Sequence, residues 1–243
     1  MLEELKRRVC KANLKLVDEG LVVQTFGNAS GVDRPSGNVV IKPSGVSYDR
    51  MKPEHMVVVS LKTGMVVEGK LNPSSDTPTH LVLYRAFPDV GGIVHTHSFY
   101  ATAWAQARLQ IPALGTTHAD YFRGSVPCTR LMTAKEIGRD YEAKTGEVIV
   151  ERFAKLESLN CPAVLVASHG PFAWGRSVED AVHHAVIVEY LARLASETLR
   201  IDPAIKSMQR ALLDKHFLRK HGPGAYYGQK GSTDSKARTR RKP

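Results

Sequence analysis

The chain has 243 residues, of which 42% are hydrophobic and 24% are charged, and its formal net charge is +10. Such a composition is ordinary for a globular protein with a sizeable core. No apolar run is long enough to cross a bilayer, and residues 1–15 are charged throughout, so we expect neither a transmembrane segment nor a signal peptide. The three cysteines have unrelated spacings, which predicts reduced thiols in a cytoplasmic protein.

The positive charge is unevenly distributed. Residues 230–243 contain six Lys or Arg and one Asp, so this segment supplies +5 of the net +10. Its small polar residues predict a disordered, solvated tail after a single domain at 1–229, although a basic arm for an anionic partner stays open. The mild excess of positive charge in the domain itself is suited to a small phosphorylated substrate. We expect neither a nucleic acid nor a membrane as a partner.

Apolar periodicity and turn signals predict strands interleaved with helices. Gly20 ends the first helix, Pro78 lies in the first turn of the second, and Thr133 with Glu136 forms a capping box. This alternation predicts an α/β fold: a single domain with a central β-sheet flanked by helices. The predicted helices are about 2–16, 76–87, 100–107, 133–144, 178–200 and 203–220, and the predicted strands are 39–41, 56–60, 65–67, 92–97 and 163–167.

Two histidines at the end of one strand are the strongest functional signal. In Gly-Ile-Val-His-Thr-His, the period of two in a strand puts His95 and His97 on one face, where two imidazoles can chelate one ion. A third, His169, ends another apolar run, Val-Leu-Val-Ala-Ser-His. Three histidines with a vacant position are typical of a catalytic metal site, whereas a lone histidine at a strand end is more often structural.

Three short segments have the composition of an anion-binding cradle. Gly-Asn-Ala-Ser at 27–30 and Lys-Pro-Ser-Gly at 42–45 combine glycine with amide or hydroxyl donors, and Lys42 adds a positive charge. Ser-Ser-Asp at 74–76 precedes a predicted helix, whose free amides and dipole favour an anion. Taken alone, each segment is more typical of a turn or a helix cap than of an anion-binding site. Asp76 is accordingly either an N-cap or a carboxylate that binds the ion or orients its water, and His80 is expected to pack or hydrogen-bond on its helix.

Candidate acid–base groups lie farther along the chain. In Gly-Thr-Thr-His-Ala-Asp-Tyr, a segment expected to be a loop, His118 and Asp120 either act as a pair or stabilise that loop. Near the C-terminus, His216 lies in the last predicted helix, and the pair Tyr226 and Tyr227 follows that helix. Spacing alone does not connect Tyr227 with the metal site, since two tyrosines flanked by glycines more often pack onto a neighbour.

Taken together, these motifs closely resemble the L-ribulose-5-phosphate 4-epimerases of the class II aldolase/adducin-like family. The resemblance rests on Gly-Asn-Ala-Ser, Lys-Pro-Ser-Gly, Pro-Ser-Ser-Asp-Thr-Pro-Thr-His, Gly-Gly-Ile-Val-His-Thr-His, Gly-Thr-Thr-His-Ala-Asp-Tyr-Phe, Ser-His-Gly-Pro-Phe-Ala-Trp-Gly and Leu-Arg-Lys-His-Gly with Tyr-Tyr-Gly-Gln. It extends over residues 1–229. It implies a sheet flanked by helices, a homotetramer with active sites between subunits, and a phosphorylated ketopentose as substrate.

The resemblance also implies residue roles. The implied metal site, usually for Zn²⁺, consists of His95, His97 and His169, with Asp76 close to the ion. The implied phosphate and substrate residues are Asn28, Lys42, Ser44, Gly45, Ser74 and Ser75. The implied catalytic residues, contributed by a neighbouring subunit, are Asp120, His216 and Tyr227.

The expected chemistry follows from the position of the inverted carbon. C4 of the sugar is one atom too far from the ketone for enolisation, so retro-aldol cleavage of C3–C4 and recondensation is the simplest path to D-xylulose 5-phosphate. Such a path needs a Lewis acid and one proton acceptor on each side of C4, for which we assign Asp120 and Tyr227. The alternatives are a sugar-phosphate aldolase of the L-fuculose-phosphate type and a non-catalytic adducin-like scaffold. Arabinose use and ascorbate breakdown both stay open as pathways.

Overall fold

A computed structural model describes residues 2–227 of the chain. Its centre is a seven-stranded sheet in the order β4-β3-β2-β1-β5-β7-β6, and every neighbouring pair of strands is antiparallel. The strands are β1 (Asn28–Asp33), β2 (Asn38–Ile41), β3 (Val57–Ser60), β4 (Val66–Glu68), β5 (Gly92–His95), β6 (Ala163–Leu165) and β7 (Pro171–Gly175).

Helices cover the sheet. The long α7 packs against β5 and β7, α1 packs against β1 and β2, and α2 pairs with α6. These contacts confirm the predicted fold of a central sheet flanked by helices. The helices are α1 (Leu2–Asp18), α2 (Thr77–Ala86), α3 (Phe99–Ala107), α4 (Thr116–Ala119), α5 (Ala134–Ile137), α6 (Tyr141–Arg152), α7 (Val178–Ile201) and α8 (Arg210–His221).

Two strands in the interior of the sheet, β1 and β7, were not predicted. All five residues of β7 are buried, as are the first four of β1. In β7 this burial leaves only a short apolar run between Pro171 and Gly175, whereas β1 contains Asn28, Ala29 and Gly31, which are residue types depleted in strands. Gly31 of β1 allows α1 to pack closely on the strand, because a Cβ at this position would lie only 2.8 Å from the Leu5 side chain of α1.

Other elements differ from the prediction in extent. The predicted helix at 133–144 is two helices, because Asp140 takes a left-handed conformation (φ 56°) between α5 and α6, although the expected capping box of Thr133 and Glu136 is present. The last helix begins at Arg210 rather than 203, and the segment expected to be a loop contains α4. Strand β5 ends at His95, so His97 lies beyond the strand.

The antiparallel register gathers functional side chains at one edge of the sheet. Asn28 at the start of β1 is paired with His95 at the end of β5, and His95 is paired with Phe172 of β7. The chain then turns into α3, whose first free amides, on Tyr100 and Ala101, donate to the carboxylate of Glu189 at 2.8 and 2.9 Å. Helix α7 therefore holds the segment that follows the histidine pair. None of the helices within residues 2–227 is both long and apolar enough to cross a membrane.

Candidate functional site

Three histidines converge at this edge. One ligand atom from each of His95, His97 and His169 lies within 4.8 Å of the other two. The Nε2 atoms of His95 and His97 are 3.1 Å apart, and the ring centroids of the three imidazoles are separated by 4.7 to 5.1 Å. Although His97 lies past the end of the strand, the two side chains still meet as the sequence predicts. We call these three residues the histidine trio.

The ring of His95 is fixed from two sides. Its Nδ1 lies 3.0 Å from the carbonyl oxygen of Pro171, which can only accept, so Nδ1 donates and Nε2 keeps its lone pair. Phe172 stacks on the ring at a centroid distance of 4.1 Å. Burial lowers the pKa of His95 to about 3. The charge of Asp76 opposes this shift, and the neighbouring His97 and His169 reinforce it. The imidazole is therefore neutral at physiological pH.

His169 belongs to the turn between β6 and β7. Ser168 before it takes a left-handed conformation (φ 63°), and its backbone N–H donates to Ala105 of α3 at 2.8 Å. The backbone N–H of His169 donates to Val166 at 3.0 Å, which closes the turn. This anchoring directs the third imidazole at the other two.

The trio has the properties of a site for a divalent transition metal. The pKa values of His97 and His169 are lowered, mainly by burial, so the three rings favour the neutral form that coordinates a cation. The buried Nδ1 of His169 has no hydrogen-bond partner among the described residues. Imidazole nitrogens suit zinc and its neighbours in the first transition series. The residues present therefore fit such an ion.

Asp76 lies beside the trio but is not one of the groups whose ligand atoms converge. It precedes α2 without making a side-chain cap; instead its Oδ2 accepts a hydrogen bond of 2.6 Å from Nδ2 of Asn28. Burial would raise the pKa of Asp76, but His95, His80 and the Asn28 hydrogen bond together lower it. The carboxylate is therefore ionised next to the histidines.

The predicted anion-binding segments are neighbours in space. Two backbone hydrogen bonds of 2.9 Å join the segments at 42–45 and 72–76: Ser74 N–H donates to the Lys42 carbonyl, and Ser44 N–H donates to the Asn72 carbonyl. Asn28 is connected to the same group, because its Nδ2 donates to Ser74 Oγ at 3.1 Å. Ser44, Gly45 and Ser75 are exposed beside them. We call this group, with Lys42 and Asn28, the polar cradle.

Lys42 is the charged member of the polar cradle, and only 2% of its surface is exposed. Its ammonium donates to the Thr25 carbonyl at 3.1 Å and lies 4.9 Å from the centre of the Tyr48 ring. Burial lowers the pKa of Lys42, and the charge of Asp76 opposes that shift. A cation this poorly hydrated gains strongly from a bound anion.

Asp120 is the centre of a second polar cluster, formed by α4 and α8. Its Oδ1 accepts from Nδ1 of His216 at 3.0 Å, and both carboxylate oxygens accept from Nη2 of Arg219 at 3.0 Å. Lys220 Nζ lies 3.4 Å from Oδ2. Burial would raise the pKa of Asp120, but the hydrogen bonds from Arg219 and His216 and the charge of Lys220 together lower it.

Tyr227 adjoins the same cluster. Arg219 and Lys220 lie 4.8 and 4.5 Å from the centre of its ring, and its backbone N–H donates to the Arg219 carbonyl at 3.2 Å. The structure thus brings Asp120, His216 and Tyr227 together. It gives no contact between this cluster and the histidine trio within residues 2–227.

Sequence reasoning did not identify Arg219 and Lys220 as partners of Asp120. They are 99 and 100 positions away, and the motif Leu-Arg-Lys-His-Gly was the only available signal. His118 does not pair with the Asp120 side chain; its Nε2 donates to the Gly124 carbonyl at 2.7 Å, which favours the loop-stabilising interpretation.

Comparison with known proteins places this arrangement in a family. Residues 7–196 match the class II aldolase and adducin N-terminal domain. The chain belongs to the class II aldolase and adducin family. It is 55% identical over 229 residues to the L-ribulose-5-phosphate 4-epimerase UlaF of Salmonella paratyphi B, a match that covers 94% of this chain and 100% of that protein.

Solved structures of two aldolases have the same fold. An L-fuculose 1-phosphate aldolase superposes with a TM-score of 0.74 at 27% identity, covering 88% of this chain and 94% of its own. The L-fuculose-1-phosphate aldolase of Thermus thermophilus gives a TM-score of 0.64 at 24% identity, covering 84% and 98%. The epimerase is thus much more similar in sequence than either aldolase.

Proposed function

We propose that this class II aldolase family member is an L-ribulose-5-phosphate 4-epimerase, a cytoplasmic enzyme that uses Zn²⁺ at the histidine trio. The 55% identity with a curated epimerase over that protein's whole length carries the proposal. The structural basis is a cluster of neutral histidines next to a polar cradle with a buried lysine. The three free cysteines support the location.

In the proposed reaction the polar cradle holds the phosphate throughout. Lys42 supplies charge, Ser44, Ser74 and Ser75 supply hydroxyl donors, and Gly45 supplies a backbone amide. When bound, the divalent ion supplies Lewis-acid stabilisation of the negative charge that develops on the ketone fragment. Because the phosphate stays anchored, the aldehyde fragment can turn its other face before C3–C4 forms again.

Protons move at two groups in this proposal. Asp120 accepts or returns the C4 hydroxyl proton on one face of the carbon, and the Tyr227 hydroxyl does so on the opposite face. The contact between Asp120 Oδ1 and His216 Nδ1 keeps the carboxylate oriented. General acid–base assistance of this kind contributes roughly a hundred- to ten-thousand-fold in rate.

We further propose a cyclic homotetramer in which the Asp120 cluster of one subunit faces the histidine trio of the next. One support is that the Asp120 cluster and the histidine trio make no contact with each other within residues 2–227. A second support is that each has an exposed aromatic residue nearby: Phe26, whose ring lies 6.0 Å from that of His97, is 55% exposed, and Tyr227 is 59% exposed. A second subunit would cover such side chains.

Product analysis tests the reaction. Incubation of the zinc-loaded protein with L-ribulose 5-phosphate should give D-xylulose 5-phosphate by NMR, and a chelator should abolish the activity. Accumulation of dihydroxyacetone and glycolaldehyde phosphate would instead support an aldolase. A folded, zinc-loaded protein without either activity would favour a non-catalytic scaffold.

Subunit complementation tests the shared site. His97→Asn and Tyr227→Phe should each be inactive alone, whereas a mixture that exchanges subunits should regain about a quarter of wild-type activity, because one site in four combines two intact contributions. The double variant is the matched control. No recovery in tetramers proven to be mixed would place both residues in the same subunit's site.

A further inference from the structure

Three buried polar side chains form a chain beneath the candidate site, and the proposed reaction does not use them. Ser30 Oγ on β1 lies 2.7 Å from Nδ1 of His80 and 2.8 Å from the hydroxyl of Tyr84, both on α2. All three residues are fully buried. The other ring nitrogen of His80, Nε2, has no hydrogen-bond partner among the described residues.

The protons along this chain can be assigned by counting. Burial lowers the pKa of His80 to about 4, so the ring carries one proton at neutral pH. If Tyr84 donates to Ser30 and Ser30 donates to Nδ1, both hydroxyl protons are used and only the N–H at Nε2 lacks a partner. If Nδ1 donates instead, one hydroxyl proton has no acceptor and the Nε2 lone pair has no donor. Because each unsatisfied buried group is costly, the first arrangement is favoured.

Asp76 is the charged group that acts on His80. It lies one helical turn earlier, and its negative charge opposes the burial effect on the His80 pKa. On its other side, the carboxylate accepts the hydrogen bond from Asn28. His80 also meets Phe172 edge-on at 6.1 Å, and Phe172 stacks on His95. His80 thus adjoins both the carboxylate and the residue that backs a member of the trio.

We propose that His80 is a positioning residue of the candidate site. Tyr84 and Ser30 hold its proton on Nε2, and the dipole of this buried N–H, which makes no direct hydrogen bond among the described residues, stabilises the negative charge of the Asp76 carboxylate beside the histidine trio. A protonated Nε2 has no lone pair, so His80 is not a fourth metal ligand. The part played by Asp76 rests on the proposed function, whereas the position of the proton does not.

Neutron diffraction tests the proton directly on the wild-type, zinc-loaded protein near neutral pD. We expect deuterium on Nε2 of His80, the Ser30 deuterium directed at Nδ1, and the Tyr84 deuterium directed at Ser30. Deuterium on Nδ1 of His80 would overturn the proposal. Because the experiment uses the wild-type protein without substrate, its result does not depend on the proposed function or on the folding of a variant.

Two substitutions test the consequence. His80→Gln can place an amide donor near the former Nε2, whereas His80→Asn places its amide near Nδ1. The asparagine variant should lose about 10- to 100-fold in zinc affinity and in kcat, a range typical of residues that support metal ligands. The glutamine variant should keep both within a few-fold. The exposed His183 on α7 gives a matched control, His183→Asn, for which no change is expected.

The outcomes are distinguishable. Equal losses in the asparagine and glutamine variants would overturn the positioning role, because any disruption of the buried chain would then suffice. A wild-type protein inactive on L-ribulose 5-phosphate would reject the proposed function, while zinc affinity, measured on apo-protein by competition with a chromophoric chelator, would still report on His80. If the variants do not fold, the neutron result decides.

Discussion

Gly170 lies where the two segments that carry the histidine trio pack closely against each other. A Cβ at this position would lie 2.8 Å from the carbonyl oxygen of Thr96, between His95 and His97, and 3.6 Å from Cε1 of His95. Gly170 itself follows His169 directly. In Gly170→Ala the added methyl must therefore push the His95–His97 segment away from the turn that carries the third ligand.

The size of the effect follows from that distance. An ordinary carbon–oxygen contact is about 3.4 Å, so one backbone must move by roughly 0.6 Å, and neither can yield by changing a rotamer. Overpacking of this kind costs about 1–3 kcal/mol. If the metal site bears the cost, zinc affinity falls by roughly 5- to 150-fold, at 1.36 kcal/mol per tenfold change.

The assay is zinc titration of apo-protein in competition with a chromophoric chelator, alongside urea unfolding. The matched control is Gly124→Ala, because a Cβ at Gly124 meets nothing within 4 Å. The control should bind zinc like the wild type. A folded Gly170→Ala protein with wild-type affinity would refute the idea that this close approach sets the geometry of the trio.

Three other predictions concern single groups. His97→Asn should lower zinc content and abolish turnover; full activity of a metal-free variant would contradict the proposal. Tyr227→Phe should bind zinc normally but turn over about a hundred- to ten-thousand-fold more slowly, and an unchanged rate would remove Tyr227 from acid–base catalysis. Burial lowers the pKa of His118 to about 4, although its hydrogen bond to Gly124 opposes this shift. The neutral ring therefore contributes roughly 3 kcal/mol to the free energy of unfolding above pH 6.5, and this contribution is lost as the pH falls towards 4. Urea unfolding at pH 7 and 4.5 should therefore show a smaller loss of stability in His118→Gln, and equal losses would count against this assignment.

The sequence predicted those features that depend on local periodicity. The amphipathic α1 and the long α7 agree with prediction to within two residues at each end. The hairpin of β3 and β4 was also predicted, because its strands flank a Thr-Gly turn. Strand β7 was missed because it is only a short apolar run, and β1 was missed because several of its residue types are depleted in strands.

The candidate site divides in a similar way. The histidine trio was predicted because the spacing of His95 and His97 puts them on one strand face and His169 ends another apolar run, and the structure brings the three rings together. The partners of Asp120 depend on the packing of α8 against α4, which no local pattern encodes. Likewise, Ser30 bonds to His80 across 50 positions of chain, so a residue expected to pack or hydrogen-bond on its own helix is bonded instead to the central strand of the sheet.

Burial acts in opposite chemical senses in the two parts of the site. At the histidine trio it removes protons, and the neutral rings that remain can coordinate a cation without first releasing a proton. At Lys42 it destabilises the charge that the residue still carries, so an incoming phosphate restores the interaction that water no longer provides. The negative charge of Asp76 acts on both parts, because it opposes the loss of protons from His95 and from Lys42. A substitution that neutralises Asp76 should therefore affect metal and phosphate binding together, which makes the carboxylate the electrostatic connection between the trio and the polar cradle.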